Sequence, residues 1–181
     1  MALSKITTES LLDGEITTAK FASGVGGKVL QVVSVTKTDV FSATNGETWA
    51  DVTGLSVAIT PSATSSKIIV CWNVALGVST LGNNFYMRML RGSTAISIGD
   101  AASNRNRTAG GGVMSGYNSD MRNVAGTYLD SPSSTSATTY KAQIASQGSI
   151  TKYVNQSGWD SDVTYGVGRT ASTITLMEVG A

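Results

Sequence analysis

KIIVCWNVAL, residues 67–76, puts Ile68, Val70, Trp72, Val74 and Leu76 on one face of an extended chain. Alternation at period two is the mark of a strand with one side against a core. The opposite face opens with Ile69 and Cys71, so the first half of the segment reads as buried on both sides, as at the centre of a sandwich. Cys71 is the single cysteine, so no disulfide can form within one chain, and it reads as a small buried hydrophobe.

The same pattern spreads in both directions. VLQVVSV (29–35) is short and Val-rich, and GLSVAIT (54–60) sets Leu55, Val57 and Ile59 on one face before Pro61 stops it. NFYMRML (84–90) turns Phe85, Met87 and Met89 inward and Tyr86 and Arg88 outward. TAISIGD (94–100) follows the turn Arg91-Gly92-Ser93 and predicts a hairpin. Further strands are expected in AGTYLDSP (125–132), TTYKAQIAS (138–146), ITKYVN (150–155), DVTYGVG (162–168) and STITLMEV (172–179). Short strands divided by Ser, Gly and Asn turns, with no long helical pattern, predict an all-β antiparallel sandwich or jelly roll over residues 28–181. The last strand would fray unless both its edges were held, which asks for a central sheet position or a subunit boundary. Ile174, Leu176 and Val179 are therefore expected at an oligomer interface.

Ahead of this β region, KITTESLLDG is followed directly by EITTAKFASG, a repeat at a period of ten. A ten-residue unit cannot bury its own apolar side chains and gains stability by stacking on copies. Residues 1–27 are thus expected to form a stalk that attaches the protein, with Ile6, Leu11, Ile16 and Phe21 as its apolar contacts. Gly24, Gly26 and Gly27 mark the hinge to the head.

Composition narrows the functions. Lys+Arg is 13 and Asp+Glu is 12, a net charge of +1 that supplies no basic surface for nucleic acid. The 24 serines and 23 threonines let hydroxyls, rather than charges, make the solvent faces polar. No run of 18 apolar residues exists, so no membrane insertion is expected, and MALSKITTES lacks the apolar core of a secretory signal, which points to synthesis in a cytoplasm. There is no histidine, which excludes a Ser–His–Asp triad and His-based metal sites. Asp160-Ser161-Asp162 lacks the glycine and closing glutamate of a calcium loop and reads as a solvated turn. The glycine runs at 24–27 and 110–112 match no phosphate-binding motif. No enzyme, cofactor or metal is expected.

Binding is the better expectation. Residues 101–123 break the strand pattern and predict a long exposed loop carrying Asn104, Arg105, Arg107, Tyr117 and Arg122. NQSGWDSD adds Trp159 and Asp160 in a second turn. Arginines and exposed aromatic rings suit an anionic or sugar-rich surface, where the cation steers and the ring stacks. Trp49 and Trp72, within strands, read as core or interface.

At the level of phrases the chain resembles bacteriophage fibre proteins, above all those of marine and cyanobacterial phages. DGEITTAKFASG (13–24) is similar to the repeated units of fibre shafts. GKVLQVVSVTKTD (27–39), DVTGLSVAITPSATSSKIIV (51–70), LRGSTAISIGDAASNR (90–105), SPSSTSATTYKAQ (131–143) and YGVGRTASTITLMEVGA (165–181) are similar to small trimeric fibre heads. The resemblance implies a virion location, a homotrimer, docking on a phage tail or capsid protein through the N-terminus, and adhesion to a host surface glycan or outer-membrane receptor. A capsid head fibre or decoration protein is the alternative it leaves open.

Overall fold

The computed structural model describes residues 29–163 and 167–180. The expected stalk residues Ile6, Leu11, Ile16 and Phe21 lie outside them. Among the described residues eleven strands form: β1 (Val29–Lys37), β2 (Phe41–Ala43), β3 (Ala50–Ile59), β4 (Lys67–Val78), β5 (Asn84–Arg91), β6 (Thr94–Ile96), β7 (Gly110–Val113), β8 (Arg122–Asp130), β9 (Thr138–Ser146), β10 (Lys152–Val154) and β11 (Ser172–Val179). Every pairing is antiparallel.

Several of these strands are pieces of one row. β11 and β10 lie end to end along one edge of β4, and β1 and β2 continue the next row outward. β6 and β7 likewise share the free edge of β5. Counting collinear pieces together leaves eight rows, which in chain order are β1/β2, β3, β4, β5, β6/β7, β8, β9 and β10/β11. The first sheet then runs 1-8-3-6 and the second 2-7-4-5. That is the order of a jelly roll, in which two Greek keys wrap around one core. The sandwich read from the sequence is the one observed.

The interior follows the alternation. Ile68, Val70, Trp72, Val74 and Leu76 of β4 face Phe85, Met87 and Met89 of β5 and Tyr140, Ala142 and Ile144 of β9 across the gap between sheets. Each such side chain contributes roughly 1.5–3 kcal/mol when fully withdrawn from water. Gly126 is the cross-strand partner of Trp72, and a Cβ there would collide with the indole. The indole Nε1 is buried without a hydrogen-bond partner, an uncompensated cost of about 1–3 kcal/mol. In β3, Val52 and Leu55 both point inward although three residues apart. A register shift between Asp51 and Ser56, with Gly54 at φ +82°, absorbs the extra residue.

Four expectations change. Ile69 and Cys71 are half-buried on the outer face of the first sheet, because no third layer covers that face among the described residues. Ile174 and Leu176 have no accessible surface: β11 sits between β1 and β4 and sends both into the core of a single chain. Their sheet neighbours hold both edges of the terminal strand, and of the three expected interface residues only Val179 points to the outer face. The described part of 162–168 forms no strand, since row eight leaves the sheet after Val154 and returns at Ser172. Residues 101–123 are not one loop, because the three glycines pair with β5 as β7. Gly111 is required there, as a Cβ would strike the Phe85 carbonyl.

Candidate functional site

The strand registers define two ends. Val29, Lys67, Arg91, Asp130, Thr138 and Val179 gather at the end where the chain enters. At the far end lie Val78, Asn84, Val113, Arg122 and Ser146, with the loops that join their strands. Loops on the end of a rigid sandwich can vary without disturbing its core, and this end carries Tyr117 and Trp159, two of the expected binding residues.

Two features build the far end. The first is the segment 114–121. Met114 is buried and anchors it, with its carbonyl accepting from the Gly82 amide at 2.7 Å. A turn follows in which the Asp120 amide donates to the Tyr117 carbonyl at 2.9 Å and the Asp120 carboxylate accepts from the Tyr117 amide at 3.2 Å. Held in this way, the Tyr117 ring is 78% exposed.

The second feature is the excursion between β10 and β11. Asn155, at φ +65°, turns the chain out of the sheet, and its buried side chain fills the gap that the departing strand leaves. Its Nδ2 donates to the Lys37 and Asp39 carbonyls at 2.8 and 3.0 Å, and its Oδ1 accepts from the Ser172 hydroxyl at 2.6 Å. Ser172 Oγ in turn accepts from the Ala75 amide at 3.0 Å. Interrupting a central row would orphan these backbone groups, and two side chains satisfy them instead. Gly158 packs where a Cβ would meet the Val78 carbonyl, so the root of the excursion lies tight against the end of β4. The Trp159 amide then donates to the Asn118 carbonyl at 2.8 Å, joining the excursion to the 114–121 segment. The indole of Trp159 is 47% exposed.

Asp160 and Arg169 close the excursion through an ion pair at 2.7 Å. The hydrogen bond from Arg169 holds the Asp160 carboxyl below its ordinary range, and the same bond raises the guanidinium. Among the described residues, Asp160, Asp162, Val163 and Arg169 border an open recess of about 450 Å³.

Of the expected binding residues, Tyr117, Trp159 and Asp160 thus come together, with Arg122 at the same end as the first residue of β8. Asn104, Arg105 and Arg107 make no hydrogen bond to them among the described residues, although Asn106 borders a second recess with Asn84, Ser146 and Gln147 at the far end. These three lie in the segment 97–109, which leaves the free edge of β5 between the pairings of Met89 and Met87 and returns to it. Arg107 Nε donates to the Gly99 carbonyl at 2.7 Å within this segment. Arg169, Asn118 and Asp120 are participants the sequence reading missed. Nothing in their spacing marks them, because each acts through a backbone or loop contact.

No protein-family model and no curated protein sequence matches the chain. Among solved structures, similar chains include the Gx strain of infectious bursal disease virus, at 13% identity and a TM-score of 0.41, and the T=1 particles derived from that virus, at 12% identity and 0.42. The VP2 subviral particle of the same virus is similar at 15% identity and 0.38. Each match covers 83% of this chain and 36–37% of the other, so the chain spans little more than a third of their length. The fold assignment above stands on strand order and register alone.

Proposed function

We propose that the chain is a non-catalytic structural protein of a virus particle, a short trimeric fibre whose head contacts the host surface through its far-end loops. The observation that carries this reading is the exposure of Tyr117 and Trp159 on two adjoining loops, opposite the end where the chain enters. Two rigidly based aromatic faces beside an Asp–Arg pair suit a sugar, with the rings against C–H patches and the charged groups on hydroxyls. The phrase-level resemblance to phage fibre heads supports the virion setting. Three such weak sites on one head would gain avidity, because the second and third contacts become effectively intramolecular. Residues 1–27 would provide the attachment to tail or capsid.

A capsid decoration role is the second reading. It is favoured by the jelly-roll order, which serves viral capsid and lectin domains alike. Binding of labelled protein to host cells separates the two. Tyr117→Ala together with Trp159→Ala should reduce cell binding at least tenfold while leaving the melting temperature nearly unchanged, because both rings are outside the core. Undiminished binding by the double variant would remove the far end from adhesion. Absence of binding by the wild type would favour decoration.

A further inference from the structure

The first sheet turns a partly apolar face with a single charged residue away from the core. Val32, Met177, Ile69 and Leu129 are direct cross-strand neighbours on β1, β11, β4 and β8 and form a stripe across the sheet. Val32 and Leu129 are 56% and 57% exposed. Leu30 and Val179 extend the stripe toward the entry end. The next row is Ser34, Thr175, Cys71 and Thr127, again direct neighbours. Lys67 alone is charged among the residues these four strands turn outward, and its ammonium donates to the Ser131 hydroxyl at the margin.

We infer that this face is where the chain meets further copies of itself, packed around a common axis. Four rows about 4.8 Å apart and eight residues rising about 3.4 Å each make a flat area of roughly 400–500 Å². Side-chain relief brings that toward the ~800 Å² per partner of a stable interface. A face whose one charge is Lys67, bonded to Ser131, offers little code for a charged partner, and apposing it to its own copy brings together at most that single ammonium at the entry end. The stripe also lies at the end where the chain enters. Twenty-eight residues precede Val29 and include the ten-residue repeat, whose units ask for stacking partners. Cyclic symmetry sets every Val29 at the same end of the assembly, which suits a repeat that gains stability from neighbouring copies. The inference rests on the proposed fibre for the number of copies, three, and adds which surface joins them.

Sedimentation equilibrium on the full chain tests it. The wild type should run at three times the chain mass, and Val32→Asp with Leu129→Asp should run as a monomer with an unchanged circular dichroism spectrum. A bismaleimide should link wild-type chains pairwise through Cys71, and Cys71→Ser should abolish the linked product. A trimer that persists in the aspartate variant would assign the contact to another surface while sparing the trimeric reading. A wild-type monomer with a reactive Cys71 would end both. A wild-type monomer with a protected Cys71 would mean that residues 1–28 cover the face in cis, which also overturns the inference. Should the aspartate variant lose its β spectrum, Thr175→Arg, at an outward hydroxyl position, replaces it with the same two outcomes.

Discussion

The outward face of the second sheet is a lattice of polar side chains, whereas that of the first is a field of hydroxyls and aliphatic groups. On the second sheet, Asp51 accepts from Lys141 at 2.6 Å and from Gln143 at 2.6 Å, and Gln143 accepts from Arg88 at 2.8 Å. The Arg88 guanidinium lies over the Trp49 ring, 4.1 Å from its centroid. These contacts hydrate well and make the face content in water. On the first sheet the corresponding positions hold Val32, Met177, Ile69 and Leu129. Both sheets have the same inward alternation, so the fold does not require the difference.

The strong polar contacts lie elsewhere, at the rim where the sheets meet. Asp130 on β8 accepts from Arg91 at 2.8 and 2.9 Å and from the Tyr140 hydroxyl at 2.6 Å, linking the first sheet to β5 and β9 of the second. Burial, and then the bond to Asp130, raises the Tyr140 phenol well above its usual range. Glu178 on β11 accepts from Gln31 at 2.6 Å and from the Ser62 hydroxyl and amide at 2.6 and 2.7 Å, tying the first sheet to the loop after β3. Lys152 on β10 donates to the Gly46 carbonyl at 2.9 Å, with burial depressing its ammonium. The apolar centre is thus ringed by buried polar links, in contrast to the exposed lattice of the second sheet.

The largest expected effect comes from breaking a rim link. Asp130→Ala strands a buried phenol and a partly buried guanidinium, and should cost about 3 kcal/mol, read from the urea midpoint. An acid titration should come next. Burial works against ionisation of Glu178, but the hydrogen bonds from Gln31 and Ser62, with the Ser66 hydroxyl nearby though without a bond of good geometry, bring it down to about 2 from 4.5. A carboxyl whose folded value is depressed stabilises fully above its unfolded value. Its contribution should therefore be intact above pH 4.5 and disappear as the pH falls toward 2. Glu178→Gln should lower the melting temperature at neutral pH and flatten its decline on the acid side. The smallest effect belongs to the lattice. Asp51→Ala, half exposed and solvated, should cost under about 1 kcal/mol. A loss equal to that of Asp130→Ala would abolish the distinction between rim and lattice.

Alternation made much of this fold readable. TTYKAQIAS and STITLMEV are β9 and β11 to the residue, because an apolar face at period two has one stable arrangement. β7 was not readable: three glycines carry no face, and only the free edge of β5 extends them into a strand. DVTYGVG has strand composition but no vacant edge, since β10 and β11 already occupy that row beside β4. Tyr117 and Trp159 stood out as exposed aromatics in turns, yet nothing in their spacing announced that a bond from Trp159 to Asn118 would bring their loops together.

The sequence by itself determined that the chain is all β and which side chains face inward, since these depend on local patterns of apolar and turn residues. Only the tertiary structure decided the order of the rows, the burial of Ile174 and Leu176 inside one chain, and the placing of Arg105 and Arg107 on a segment that springs from the free edge of β5 rather than on the loops of Tyr117 and Trp159. Those outcomes depend on which strand edges are free when the sheets close, a property of the whole chain that no local stretch encodes.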